Sequence, residues 1–192
     1  MMISAKQYEE IRNQYGKHAS FAVWAPQGDT VTSNTGVIDF FTTPSPRLLH
    51  TLQNDRILVG LNISRGLIQT EFANFHDSSS RSKDYKLRFA LKDTELWGSY
   101  MTDFIKDFEE PNSQLVLEKI REENLIQEVV ASFRQEIDTI NSEATLYALG
   151  SQVFNYLKRH FGKGRKIVKL EHYSHFSSKE QYRERIGRAL SN

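Results

Sequence analysis

Between residues 56 and 191, short apolar runs alternate with segments of helical period. The runs are RILVGLN at 56–62, ELWGSYMTDFIK at 95–106, ATLYALG at 144–150 and KIVKLEH at 166–172. Helical spacing of apolar residues marks 113–140, SQVFNYLKRHFG at 151–162 and SKEQYRERIGRALS at 178–191. A strand–helix alternation repeated in this way predicts a parallel sheet covered by helices on both faces. The expected fold is an α/β domain with three layers, α/β/α, around a four-stranded parallel sheet. Its strands are expected near 57–61, 98–103, 145–149 and 167–171.

The first third of the chain adds less. SAKQYEEIRNQYG at 4–16 reads as a helix capped by Ser4 and ended at Gly16. SFAVWA at 20–25 reads as a strand, followed by turn chemistry to Gly36. Residues 37–56 show no clear period, and this whole first segment is expected to pack outside the parallel core. Residues 63–85 read as a long loop, with room for a short helix. No repeat or linker divides the chain, so 1–192 is expected to form a single domain. A chain of that length buries roughly 70% of the surface exposed when unfolded.

In open α/β sheets, ligands bind outside the carboxyl ends of the strands. Three unusual segments fall there: GLNISRG at 60–66, Asp103, and HYSHFS at 172–177. The chain has no cysteine, which excludes disulfides, thiolate zinc sites and iron–sulfur clusters, and fits a reducing, cytoplasmic setting. No HExxH or His/carboxylate cluster points to a metal, and His76 and His175 read as surface groups. No cofactor is expected. A net charge of +1 leaves nucleic-acid contacts to local patches. No apolar run approaches the roughly 20 residues of a membrane span, and the first ten residues lack a signal-peptide core.

VGLNISRG at 59–66, followed about 110 residues later by HYSHFS, resembles the two signature segments of the uracil-DNA glycosylase superfamily. The first signature reads Gly-x-Asn-Pro-Gly in some branches; Gly60, Leu61 and Asn62 match, while Ile63 and Ser64 replace Pro and Gly. The second reads His-Pro-Ser-Pro-Leu-Ser; His172, Ser174 and Ser177 match, with Tyr173, His175 and Phe176 elsewhere. YALGSQVFNYL at 147–157 and SYMTDFIK at 99–106 are similar to further passages of that family. The resemblance covers residues 55–190.

It implies a uracil-DNA glycosylase-like fold and a DNA partner. It implies hydrolysis of the N-glycosidic bond of a flipped base, without a covalent intermediate. Asn62 would position the attacking water, and His172 would donate to the base oxygen as charge develops. Gly60, Leu61, Ile63 and Asp103 would border the base, with Phe75, or else Phe72, as the stacking ring. Phe176 would be the wedge entering the duplex. Ser64, Ser174, His175 and Ser177 would approach phosphates, helped by the helix start near Ser178. Asp103 stands where the family has an asparagine. An ionised aspartate only accepts hydrogen bonds, so an amino-bearing base, or no base, fits better than uracil.

Other readings stay open beside this one. Asn62 at a strand end can simply cap the next turn, and Phe72 and Phe75 can be core plugs. Arg81, Lys83, Lys86 and Arg88 can touch phosphates, whereas the basic run 158–166 falls on the opposite sheet edge. The scaffold can bind nucleic acid or nucleotide without catalysis. Ser64, Asp103 and His172 also follow the chain order of an α/β-hydrolase triad.

Overall fold

The computed structural model describes residues 2–63, 70–79, 81–106, 115, 117–119 and 125–191. Five strands form one sheet: β1 (Ala19–Phe21), β2 (Gln53–Asn62), β3 (Ser99–Ile105), β4 (Thr145–Leu149) and β5 (Ile167–Leu170). Their order is β1-β3-β2-β4-β5. The helices are α1 (Ala5–Tyr15), α2 (Pro46–Thr51), α3 (Asp84–Leu91), α4 (Ile126–Asn141), α5 (Ser151–Phe161) and α6 (Lys179–Leu190), with a 3₁₀ turn at Asp39–Phe41.

The central strand explains itself from its sequence. Ile57 to Leu61 are all buried, so both faces of β2 are covered and the run reads as continuously apolar. Every residue of β3 is buried as well, including Ser99, Thr102 and Asp103. Tyr8 and Ile11 of α1, Phe133, Ile137 and Ile140 of α4, and Val153, Leu157 and Phe161 of α5 pack on one face, against Ile57, Val59, Tyr100 and Leu146. Leu87 and Leu91 of α3, with Tyr182 and Ile186 of α6, pack on the other, against Leu58, Met101 and Leu170. The domain therefore has three layers. Local chemistry sets the helix starts. Ser4 Oγ accepts from Gln7 N–H, and Ser178 with Gln181 closes a capping box on α6.

The four expected strands pair parallel throughout, β3 with β2, β2 with β4, and β4 with β5. The sheet is nevertheless five-stranded and mixed rather than four-stranded and parallel. β1 joins antiparallel, with Ala19 opposite Thr102 and Phe21 opposite Tyr100. The physical reason is the edge of β3. An open edge of a buried strand is covered where an apolar segment can pair with it, and Ala19, Ser20 and Phe21 are all fully buried. The strand is three residues long rather than the six expected at 20–25. Residues 37–56, without a clear period, contain the 3₁₀ turn and α2, and β2 begins earlier than its apolar run, at Gln53. In the stretch expected as a loop, α3 starts at Asp84. No helix among the described residues is long and apolar enough to cross a membrane.

Candidate functional site

β2 leads to β3 on one side of it and β4 leads to β5 on the other, so the chain reverses its lateral progress between β2 and β4. A crevice forms at such a switch point, outside the carboxyl ends. A cleft of about 580 Å³ opens there. Asn62, Asp103, His172 and Phe75 all line it, as do Gly60, Leu61, Ile63, Arg81 and Ser174. Leu61 belongs at the same time to the core cluster. Ser64 lies outside the described residues. His175, Phe176 and Ser177 are not part of the lining.

The floor is built on a close approach. A side chain at Gly60 would collide with Oδ1 of Asp103, and its Cβ would press the Phe75 ring at 3.2 Å. Asp103 Oδ1 and the Phe75 ring edge therefore meet over a bare patch of β2 backbone. Phe75 holds φ of +65°, a left-handed conformation that costs a phenylalanine on the order of 1 kcal/mol or more. Trp24 Nε1 donates to the Phe75 carbonyl and helps hold that backbone. Phe72, the other candidate ring, is fully buried among Tyr8, Phe21 and Phe41 and forms core.

Asp103 is 2% exposed. Its Oδ2 accepts from Nδ2 of Asn74 at 2.9 Å, and the same nitrogen donates to the His18 carbonyl at 2.8 Å. Both protons of the amide are thus used, and the carboxylate is pinned. Burial raises the Asp103 carboxyl to about 6, against the pull of Asn74 and Lys106. Lys106 lies behind it, 2.5 Å from the Asp103 carbonyl and 2.8 Å from Oε2 of the buried Glu136, whose Oε1 accepts from Tyr100. Asp84, at the start of α3, is raised to about 6, again chiefly by burial, and accepts from Asp77 N–H at 2.8 Å. Tyr173 lines the cleft together with Asp84. Burial first, and then Asp84 and Asp103, keep its phenol protonated well above 10.

His172 follows β5 and lies over Gly150, whose φ of +106° and missing Cβ leave room at 3.4 Å from the histidine Cβ. Ser174 N–H donates to Nδ1 of His172 at 3.2 Å, and Ser174 Oγ lies 2.7 Å from the same atom. A nitrogen that accepts from a backbone N–H carries no proton, so the neutral ring bears its hydrogen on Nε2. Burial lowers the His172 pKa to about 4, which keeps the ring neutral at physiological pH. Asn62 is half-buried, and its Nδ2 donates to the Ile63 carbonyl at 3.0 Å. The first turn of α5, with Ser151 and Gln152, also borders the cleft and brings the positive end of that helix to it.

Several expectations change at the rim. Lys86 is 4% exposed and donates to the carbonyls of His175 and Ser177 at 3.0 and 2.7 Å, so it holds the loop. Arg88 is likewise buried and donates to the carbonyls of Val31 and Ser33, both at 2.7 Å. Neither reaches solvent phosphates; Arg81, exposed at the cleft, and Lys83, half-buried, remain. Phe176 stands 99% exposed on the clamped loop. His175 is exposed beside Glu171, at 2.9 Å. His76, read as a surface group, is buried instead, its Nδ1 and Nε2 each 2.9 Å from the carbonyls of Asn74 and Val23. The start of α6 near Ser178 is closed by its own capping box. No hydrogen bond joins Asp103 to His172, so the relay that a Ser64/Asp103/His172 triad needs is not formed.

Asn74, Asp84 and Gln152 were not legible as site residues. Asn74 lies 29 residues before the carboxylate it holds, and nothing local marks that pairing. Among the described residues no group of histidines and carboxylates could hold a metal ion. Compared with family models, characterised proteins and solved structures, the chain matches none.

Proposed function

We propose that the protein is a DNA glycosylase-like enzyme of uracil-DNA glycosylase-like fold, which accepts one flipped nucleotide in the cleft and hydrolyses its N-glycosidic bond. One observation carries this reading: Asn62, Asp103, His172 and Phe75, singled out from separate segments, line a single cleft at the carboxyl edge. The C1′–N bond breaks with its electron pair leaving on the base. The neutral His172 donates from Nε2 to the base oxygen that gains charge. Asn62 orients the water that adds to the sugar cation; an amide cannot keep the proton, which passes to solvent. Phe176, fully exposed beside the cleft loop, is suited to fill the gap left in a base stack. Arg81 at the cleft supplies local charge for phosphates.

The test is excision from labelled oligonucleotides carrying uracil, cytosine, hypoxanthine, xanthine or a mismatch, single- and double-stranded, with abasic sites revealed by alkali. Turnover of at least one base is expected. Borohydride is expected to trap no protein–DNA adduct, since neither VGLNISRG at 59–66 nor HYSHFS at 172–177 carries a lysine to form a Schiff base. Excision by neither the wild type nor Asp103→Asn would turn the reading to a nucleotide-binding module without catalysis.

A further inference from the structure

We infer that the deep end of the cleft selects a 4-aminopyrimidine, cytosine or a 5-substituted cytosine, over uracil, and that it does so through the fixed carboxylate of Asp103. The inference rests on the proposed base-binding role of the cleft. Its grounds are geometric. Asp103 Oδ1 lies over Gly60 against the Phe75 ring edge, where a flat ring entering the cleft would meet it. Oδ2 is pinned as an acceptor by Asn74, whose nitrogen is itself tied to His18. The carboxylate cannot turn away, and it offers acceptors on both oxygens.

The edge that satisfies such a group has two neighbouring N–H donors. Uracil has one, N3–H, beside the acceptor O4, so an ionised Asp103 would face O4 lone pair to lone pair, and a proton placed between them is held far less well by the weakly basic O4 than by cytosine N3. Cytosine has its 4-amino group beside N3, and one proton shared between N3 and Asp103 completes a two-donor edge. A carboxylate accepting from the cytosine amino group is an established pairing. O2 of the same ring then remains for the Nε2–H of His172.

The groups around Asp103 make that proton accessible. Lys106 beyond the end of β3 opposes protonation, while Glu136 of α4 favours it. Asp84 of α3 and Tyr173 after β5 also bear on the site, and the Asp103 charge raises the affinity of both for a proton. Binding should therefore take up one proton above pH 6.

The experiment is protein-detected NMR titration with free 2′-deoxycytidine, 2′-deoxyuridine and 2′-deoxyguanosine at pH 6 and pH 8. In the wild type, deoxycytidine should move the Gly60, Asn74 and Gly150 resonances, and bind at pH 6 about tenfold or more tighter than deoxyuridine. Its affinity should fall toward pH 8 more steeply than that of deoxyuridine. Asp103→Asn should invert the preference and remove the pH dependence. Equal affinities, a preference for deoxyuridine or deoxyguanosine in the wild type, or no shifts at all would overturn the inference. Cytidine selection without excision of any base would leave it standing and end the catalytic reading. Uracil excision without cytidine selection would do the reverse.

Discussion

His172→Ala is expected to lower the single-turnover rate of base release by about a hundredfold or more, the usual scale for losing one donor aimed at developing charge. The expectation follows from how the ring is held. Ser174 N–H fixes Nδ1 as the acceptor, so the only proton the neutral ring can offer is on Nε2. Burial keeps the ring neutral down to about pH 4. The wild-type rate should therefore show no arm near pH 6.5 arising from this residue. An arm there that vanishes in His172→Ala would show that the histidine works as an imidazolium. A rate within threefold of wild type would remove it from the chemistry.

Asp103→Asn is expected to stabilise the fold at pH 8 by roughly 1 to 3 kcal/mol, the upper figure being the free-energy equivalent of the shift from 3.8 to about 6. The sign follows from proton binding. A carboxyl whose folded pKa lies above its unfolded value favours the native state below 3.8, and that contribution is lost as pH rises through about 6. Replacing it removes a charge that is buried at neutral pH, while the amide oxygen can still accept from Asn74. The difference between variant and wild type should close between pH 6 and pH 4. His172 contributes with the opposite sign. Its folded pKa is depressed, so stability falls as pH drops from about 6.5 toward 4, and in Asp103→Asn this acid-side loss should be the more visible. Urea unfolding followed by circular dichroism at each pH reads both effects. A loss of stability at pH 8, or a gain that persists at pH 4, would contradict the account. A gain would identify Asp103 as a group held against stability, as functional residues often are.

Much of the scaffold was legible because its signals are local. The run Ile57–Leu61 declares a strand buried on both faces, and Ser4 and Ser178 declare helix starts. Strand ends then placed Asn62, Asp103 and His172 on one edge before any geometry was available. What was not legible depended on distant partners. β1 pairs with β3 across about 80 residues of chain, and three apolar residues carry no sign of direction. Lys86 and Arg88 look like solvent-facing charges, and only the carbonyls they meet, 55 to 91 residues away, make them interior clamps. Phe72 and Phe75 are three residues apart with similar φ and both are buried in the core, yet of the two only Phe75 also walls the cleft.

The central claim is that one nucleotide leaves its strand and enters the cleft at the carboxyl edge of the sheet. Its most direct measurement is NMR mapping with a duplex carrying one 2′-fluoro nucleotide, whose glycosidic bond resists cleavage. The account predicts that Gly60, Asn74, Gly150 and the Phe176 ring shift together, while Gly164 in the basic turn of the opposite edge does not. Shifts centred on Gly164 and the neighbouring basic residues, with Gly60 and Gly150 unmoved, would contradict it.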